Sequence, residues 1–74
     1  LAAAAEQLRS TISTAKRLGY YRIECEARLV LGQFELKLNP SLGHKHLTDL
    51  AEETRSHGFE LLAHEAENAI VSSR

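Results

Sequence analysis

The side chains with the most reactive chemistry in this sequence are a single cysteine and four histidines. A cysteine nucleophile needs a base to activate it and a third group to orient that base. No histidine lies near Cys25 in the sequence, although helix packing could bring His64 close to it. The sequence shows neither an oxyanion donor nor a closed pocket for such a pair. We therefore interpret Cys25 as a half-buried thiol beside an imidazole, and we expect no enzymatic activity.

The histidines do not have the spacing of a metal site. His44 and His46 are two residues apart and would point in different directions on a helix. The segment HEAEN at 64–68 lacks the second histidine of the H-E-x-x-H zinc motif. The four glycines are isolated from one another, so no glycine-rich phosphate loop is present. The sequence therefore predicts no metal site and no cofactor.

A stripe of polar and aromatic side chains follows one face of the second predicted helix. Tyr21, Cys25, Arg28 and Glu35 recur there at i, i+4, i+7 and i+14. Tyrosine and arginine are favoured anchors of protein interfaces, which makes this face a candidate partner-binding surface. In the alternative, the ring and the aliphatic stem of these residues only cover apolar surface. Three residues of the fourth predicted helix continue the candidate surface: Glu60, His64 and Glu67.

Composition limits the classes of function. The 74 residues amount to one small domain or a piece of a larger protein, and the chain starts without methionine, so we expect that it is excised from a longer protein. A formal net charge of -1 argues against nucleic-acid binding. No uncharged stretch is long enough to span a bilayer. One cysteine cannot form an internal disulfide, so the cysteine count does not determine the cellular compartment. We favour the cytoplasm.

Helix-ending residues divide the chain into four segments rich in Ala, Leu and Glu. Glycine often follows the end of a helix, and proline is tolerated in the first turn of the next one. Gly19, Asn39-Pro40 and Gly58 therefore predict helices at about 2–18, 20–38, 41–57 and 59–72.

Three of these helices have a single apolar stripe, as expected for helices that bury one face. The first helix carries Ala5, Leu8, Ile12, Ala15 and Leu18. The third carries Gly43, Leu47, Leu50, Ala51 and Thr54, while Lys45, Thr48, Asp49, Glu52 and Glu53 face away. The fourth carries Phe59, Leu62, Ala66, Ala69 and Ile70.

The second helix has a wider apolar surface. Its main predicted stripe comprises Ile23, Ala27, Val30, Leu31, Phe34 and Leu38. Leu29 and Leu36 lie outside this stripe, which predicts neighbours on two sides of the helix. On its surface, Glu24 and Arg28 have the favourable i, i+4 order for an ion pair.

The chain also contains an internal similarity. Residues 16–27 read KRLGYYRIECEA and residues 55–66 read RSHGFELLAHEA, 39 positions later. A fixed period of 20–50 residues is typical of a helical array, here with two helix pairs. Alternatively, the similarity is a coincidence, because any two amphipathic helix–glycine–aromatic–helix segments would align this well. The matched pairs fall on turn or core positions: Leu8 with Leu47, Gly19 with Gly58, Tyr20 with Phe59, Ile23 with Leu62, Glu26 with Glu65, Ala27 with Ala66, and Leu31 with Ile70.

Residues 27–50 resemble a tetratricopeptide repeat (TPR). The family pattern W-x2-L-G-x2-Y, then A-x3-F, is matched by Ala27-x2-Val30-Leu31-x2-Phe34 and Gly43-x3-Leu47. The small residue at Gly43 fits a close approach between helices. The chain departs from the pattern at Ala27, at Leu31, at Arg55 near the closing proline position, and in its 39-residue shift, against 34 in the family. LVLGQFELKLNPSLGHKHL also resembles the ending of TPR-like regions in larger bacterial regulatory proteins.

The resemblance implies an all-α fold of antiparallel helical hairpins, a TPR-like right-handed superhelix fragment of about four helices. Such arrays usually bind a peptide or a helix of another protein in a groove lined by the first helix of each pair. The expected function is a non-catalytic protein–protein interaction scaffold, with a protein or peptide partner and no nucleic acid or membrane. Apolar surface left open on the first helix predicts self-association of the chain.

Two alternatives remain open. One is a homodimerisation bundle, which would bury Leu29 and Leu36 in a subunit interface rather than expose them in a groove. The other is a regulatory module beside a signalling or transcription-regulatory domain, which only a longer sequence would reveal.

Overall fold

The computed structural model describes residues 2–72, and this part of the chain is all-α. The helices are α1 (Ala2–Leu18), α2 (Tyr21–Leu38), α3 (Pro40–Ser56) and α4 (Glu60–Ser72). Residues 2–72 contain no strand. The predicted fold class is confirmed as all-α, and each predicted helix boundary is within one residue of the observed one. None of the four helices has the length and apolarity needed to cross a membrane.

The hairpin turns after α1 and α3 have the same backbone geometry, 39 residues apart. Gly19 and Gly58 adopt φ values of +80° and +85°, a left-handed conformation that favours glycine. The residue after each glycine donates its backbone N–H to a carbonyl oxygen in the last turn of the preceding helix. Tyr20 donates to Ala15 O and Phe59 donates to Thr54 O, both at 2.8 Å. These are the hydrogen bonds of a Schellman turn, which satisfies carbonyl groups at a helix C-terminus.

The turn between α2 and α3 is a single residue. Asn39 donates its backbone N–H to Glu35 O, and its side chain accepts a hydrogen bond from the N–H of Leu42. Pro40 follows as the first residue of α3, where a missing N–H leaves no helical hydrogen bond unmade. Because the turn is so short, α3 must fold back directly along α2.

The helices pack in series rather than as a closed bundle. Each helix packs against the next one, and α2 also contacts α4. Within residues 2–72, the α1 backbone approaches neither α3 nor α4. The Cα positions extend over 34 × 30 × 14 Å, so the molecule is a slab.

The core lies between α2, α3 and α4. The predicted α3 stripe is confirmed at every position, because Gly43, Leu47, Leu50, Ala51 and Thr54 are all buried. The predicted α4 stripe is also on the packed side. The buried core cluster comprises Cys25, Leu29, Leu47, Leu50, Ala51, Leu62, Ala66 and Ile70.

The main predicted stripe of α2 is only partly right, because Ala27 is buried and Leu31 and Phe34 are half-buried. Cys25 and Leu29 form the α2 side of the core, whereas Ile23, Val30 and Leu38 are exposed. The physical reason is that α2 has three neighbours, so its buried positions are set by α1, α3 and α4 together. An apolar stripe counted as a single face cannot represent three contacts.

Gly43 provides the close approach that its small size predicts. A Cβ atom built on Gly43 would lie 2.5 Å from the backbone N and 2.8 Å from the Cα of Leu36. Real Cβ atoms essentially never come this close to a backbone atom. Any larger residue at this position would push α3 away from α2.

Candidate partner-binding cleft

A cleft of about 600 Å³ runs along α2, with α1 on one side and α3 on the other. The helical spacing explains the α2 wall, since the residues that line it recur at steps of three and four. The same spacing on α3 places a row of polar residues along the side of the cleft that faces α1. The lining residues are Ile12, Lys16, Tyr21, Glu24, Arg28, Leu31, Glu35, His46, Asp49, Glu53 and His57.

The centre of the cleft is a hydrogen-bonded cluster around Glu53. Tyr21 donates its hydroxyl to Glu53 Oε2 at 2.7 Å, and Arg28 Nη1 donates to the same oxygen at 2.9 Å. The hydrogen bonds from Arg28 and Tyr21 lower the pKa of Glu53 below its ordinary value. Burial and the bond to Glu53 raise the pKa of Tyr21, so its hydroxyl stays a donor.

Two further side chains complete this cluster. Glu24 Oε2 lies 3.6 Å from Arg28 Nη1, which confirms the predicted i, i+4 pair. His57 Nδ1 lies 2.9 Å from the carbonyl oxygen of Glu53 and 3.2 Å from the Tyr21 hydroxyl. A carbonyl oxygen can only accept, so this contact assigns the proton to Nδ1 of His57. The Tyr21 and His57 rings also contact each other, with centroids 4.7 Å apart.

A second polar pair lies farther along the cleft. His46 Nδ1 and Glu35 Oε1 are 2.7 Å apart. The Glu35 side chain is 9% exposed, whereas that of His46 is 48% exposed. Since a buried carboxylate needs a hydrogen-bond partner, His46 supports the burial of Glu35 at the α2–α3 contact.

The cleft has an acidic polar lining and an aliphatic part. Four carboxylates line it against one lysine and one arginine, a formal charge of -2 with both histidines neutral. Ile12 and Leu31 add apolar surface on α1 and α2, and both are half-buried. A segment that carries basic and aliphatic side chains matches this lining in charge and polarity.

The structure divides the predicted partner-binding residues into three groups. Tyr21, Arg28 and Glu35 line the cleft together. Cys25 is fully buried, so a partner cannot touch it while the helices remain packed. Burial raises the pKa of its thiol, the opposite of what an activated nucleophile needs. Cys25 therefore belongs to the core and does not form part of an exposed contact surface.

The α4 residues of the predicted surface lie outside this cleft. Glu60 and Glu67 accept hydrogen bonds from Arg55 of α3, and Glu67 does so through both carboxylate oxygens at 3.0 Å. The Arg55 bonds lower the pKa of Glu67. His64 is exposed on the same helix. A partner-binding role for Glu60, His64 and Glu67 stays a prediction.

A second recess of about 590 Å³ lies between α2 and α4. The TPR resemblance makes residues 20–57 one helix pair, so α2 and α4 are the first helices of their pairs and would line the groove. The lining residues of the recess are Gln33, Leu36, Lys37, Glu65, Asn68, Ala69 and Ser72. None of the predicted partner-binding residues is among them, so the predicted stripe lies on the α1–α3 side of α2.

Sequence reasoning missed the α3 side of the cleft. Asp49 and Glu53 were expected to face away from the packed side, but both line the cleft, and Glu53 is half-buried. The signal was available, because His46, Asp49, Glu53 and His57 recur at helical spacing directly beside the apolar stripe of α3. Polar residues that flank an apolar stripe lie at the rim of a helix contact and can bond across it.

Within residues 2–72, no group of three or more His, Cys, Asp or Glu side chains has the geometry to hold a metal ion. Comparisons with protein-family models, with curated proteins and with solved structures give no match for this chain.

Proposed function

We propose that this chain is part of a TPR-like helical-repeat array and acts as a non-catalytic protein–protein interaction scaffold. The observation that carries this proposal is the serial packing of the helices, with an open cleft along α2 that collects Tyr21, Arg28 and Glu35. A closed bundle would bring its first and last helices together. Serial packing instead leaves open surfaces on both sides of α2. The cleft lies on the α1–α3 side, and the groove that the TPR resemblance implies lies on the α2–α4 side.

The proposed partner is a protein segment with basic and aliphatic side chains. The carboxylates in the cleft favour lysine or arginine, and Ile12 with Leu31 offers contact for an aliphatic side chain. Arg28 already forms ion pairs with Glu53 and Glu24, so it holds the side chains that line the cleft in place. The carboxylate of Asp49 is 56% exposed and makes only a surface pair with Lys45 at 3.6 Å, so it is the better contact for a partner cation.

A non-catalytic role is supported by the state of Cys25. Its thiol is buried and its pKa is raised, and it does not line the cleft. His64, the base that would have to activate it, is exposed on α4. Neither residue has the arrangement of an activated nucleophile with its base.

Selection from a random peptide library on the immobilised chain tests the proposal. We expect enrichment of lysine or arginine beside aliphatic residues, and NMR shift changes of the selected peptide complex at Ile12, Leu31 and Asp49. Asp49→Lys should weaken binding roughly tenfold, which corresponds to about 1.4 kcal/mol. Glu52→Lys makes the same charge change at an exposed neighbouring position that does not line the cleft, and should leave binding unchanged.

The opposite result would be equally clear. If the selected peptides cause shift changes only between α2 and α4, the binding surface is the second recess. If no peptide binds, or if Asp49→Lys and Glu52→Lys weaken binding equally, the cleft has no specific role.

A second candidate function is homodimerisation, favoured by exposed apolar side chains beside the first turn. Leu18 is 54% exposed, and Tyr20 and Ile23 are also largely open. Leu29 and Leu36 do not decide between the candidates, because Leu29 lies in the core of its own chain and Leu36 packs against that core. Light scattering behind size exclusion tests this candidate, since a discrete dimer that Ile23→Glu dissociates would establish it.

A further inference from the structure

A recess of about 330 Å³ opens between α1 and α2, on the side of α1 that no helix of the described chain covers. Its lining is largely apolar and contains no charged side chain. The residues that line it include Thr11, Thr14, Ala15, Leu18, Tyr20 and Ile23.

The same place in the second hairpin is filled by Tyr21. The positions 39 residues after Thr14, Leu18 and Tyr20 are Glu53, His57 and Phe59. Tyr21 of α2 contacts all three of these later residues. Its hydroxyl bonds Glu53 at 2.7 Å, and its ring lies 4.7 Å from the His57 ring and 5.7 Å from the Phe59 ring, between centroids.

The two hairpins match in backbone as well as in sequence. Gly19 N–H donates to Lys16 O, and Gly58 N–H donates to Arg55 O, again 39 residues later. The first helical bonds after the turns also correspond, because Glu24 N bonds Tyr20 O as Ala63 N bonds Phe59 O. Residues next to the two turns therefore occupy equivalent backbone positions.

Equivalent residues of the two hairpins differ in the exposed fraction of their side chains. Ile23 is 49% exposed, whereas Leu62 at the corresponding position is 7% exposed. Tyr20 is 56% exposed, whereas Phe59 is half-buried and packs against the core. The difference has a single cause, which is that α2 covers the second hairpin and no described helix covers the first.

We propose that the recess between α1 and α2 is a socket for an aromatic side chain on an α2-type helix of a further repeat. An α2-type helix is one with an aromatic, a small residue and a leucine at i, i+4 and i+8, as in Tyr21, Cys25 and Leu29. This proposal rests on the proposed repeat array and specifies what the array places on this edge. The occupant follows from the chain itself, because the internal counterpart of the socket already holds such a helix.

A second copy of this chain does not offer a matching surface. Its own α2 stripe is buried against α3 and α4. On α4, the positions equivalent to Tyr21, Cys25 and Leu29 are Glu60, His64 and Asn68, all polar and exposed. Stacking the α4 edge of one copy on the socket of another would place these polar groups against Tyr20 and Ile23.

The test adds the proposed helix in cis. An extended chain carries a second copy of residues 20–39 directly before Leu1, since the 39-residue shift makes Leu1 follow Asn39 as Pro40 does. It also carries Ala4→Gly, because Ala4 stands at the position of Gly43, where a Cβ atom would block the close approach of the two helices. We expect a monomer by light scattering, with NMR contacts between the added Tyr21 ring and both Leu18 and Tyr20. The thermal midpoint should rise by roughly 5 °C or more, the shift that a modest gain produces in a domain of this size.

Matched variants of the added segment make the result specific. Tyr21→Ala in the added copy should remove most of the rise in thermal midpoint, because it removes the side chain that fills the socket. Glu26→Ala in the added copy changes a residue that points away from the stripe and should keep the rise. In the host part of the chain, Ile23→Glu should abolish the docking, whereas Leu61→Glu on the exposed side of α4 should not.

Three results would overturn the proposal. The added helix could stay disordered with no change in thermal midpoint, or its Tyr21→Ala variant could dock equally well. The unextended chain could also form a discrete dimer in which a second copy covers Tyr20 and Ile23. Peptide binding to the cleft is measured on the same chains, so a failure of the socket with intact cleft binding would not count against the scaffold function.

Discussion

Arg28 of α2 and Glu53 of α3 are 25 residues apart in sequence and are joined by a hydrogen bond of 2.9 Å. Tyr21 bonds the same carboxylate oxygen, so Glu53 fixes two positions of α2 that are two turns apart. The local sequence indicates a polar flank on each helix but not which residues of the two flanks bond each other. The cluster exists because Gly43 lets α2 and α3 approach closely enough for their polar flanks to meet.

The Glu53 cluster predicts a loss of stability in acid. The pKa of Glu53 is lowered in the folded chain, so its contribution is fully present above the pKa of the unfolded chain and is lost as pH falls through the folded pKa. Between about pH 6 and about pH 3, wild-type stability should therefore fall more than that of Glu53→Gln. Urea unfolding at several pH values measures both. Glu52→Gln, at an exposed position, is the control and should follow the wild type.

Gly43→Ala should destabilise the fold, although alanine is the better helix former. A helical glycine-to-alanine change normally stabilises by about 0.5–1 kcal/mol. Here the added Cβ would meet the backbone of Leu36, which cannot move without shifting α2, so we expect a net loss of about 1–3 kcal/mol. Urea unfolding measures the change, with the exposed His44→Ala as control. A stabilised Gly43→Ala variant would show that the two helices are not in close contact.

The helices and the packed face of α3 could be predicted from sequence because their signals are local. Gly19, Asn39-Pro40 and Gly58 determine where the helices end. The buried face of α3 follows from one apolar stripe with polar flanks. These features depend on backbone conformation and on helical period, which a sequence displays directly.

The α2 side of the cleft follows from the helical spacing of Tyr21, Arg28 and Glu35, but the bonds across the cleft and the α2 core face depend on which helices meet. Leu29 and Ile23 are both branched apolar residues on α2, yet Leu29 is in the core and Ile23 is exposed in the recess between α1 and α2. Their difference is created by the positions of α3 and α4. Glu24 and Glu35 are likewise buried only because Arg28 and His46 reach them.

Cys25 should be unreactive while the chain is folded. The side chain is fully buried and its pKa is raised, so both access and thiolate formation are suppressed. We expect modification by a soluble aromatic disulfide to be slower than in urea-unfolded chain by roughly 10³-fold or more, limited by the population of open molecules. Fast labelling in native buffer would contradict the core position of Cys25. The destabilised Gly43→Ala variant should label faster than His44→Ala, since it opens more often.

The polar residues on the exposed face of α4 allow a test of whether one molecule can stack on the next. Changing Glu60→Tyr, His64→Ala and Asn68→Leu together gives α4 an aromatic, a small residue and a leucine at the spacing of Tyr21, Cys25 and Leu29. Each original residue is exposed, so the fold should tolerate the change, with only the surface pairing of Glu60 and Arg55 lost.

The altered α4 edge of one molecule would then fit the socket between α1 and α2 of the next. This contact is head-to-tail and does not close on itself, so it should give open polymers whose length rises with concentration in sedimentation velocity. Adding Ile23→Glu should return the chain to its original size by blocking the socket. A triple control at exposed α3 positions, His44→Ala, Lys45→Leu and Glu52→Tyr, adds similar apolar surface without the matching face. If both triples associate equally, apolar exposure alone drives assembly, and the 39-residue equivalence of the two hairpins has no consequence for packing.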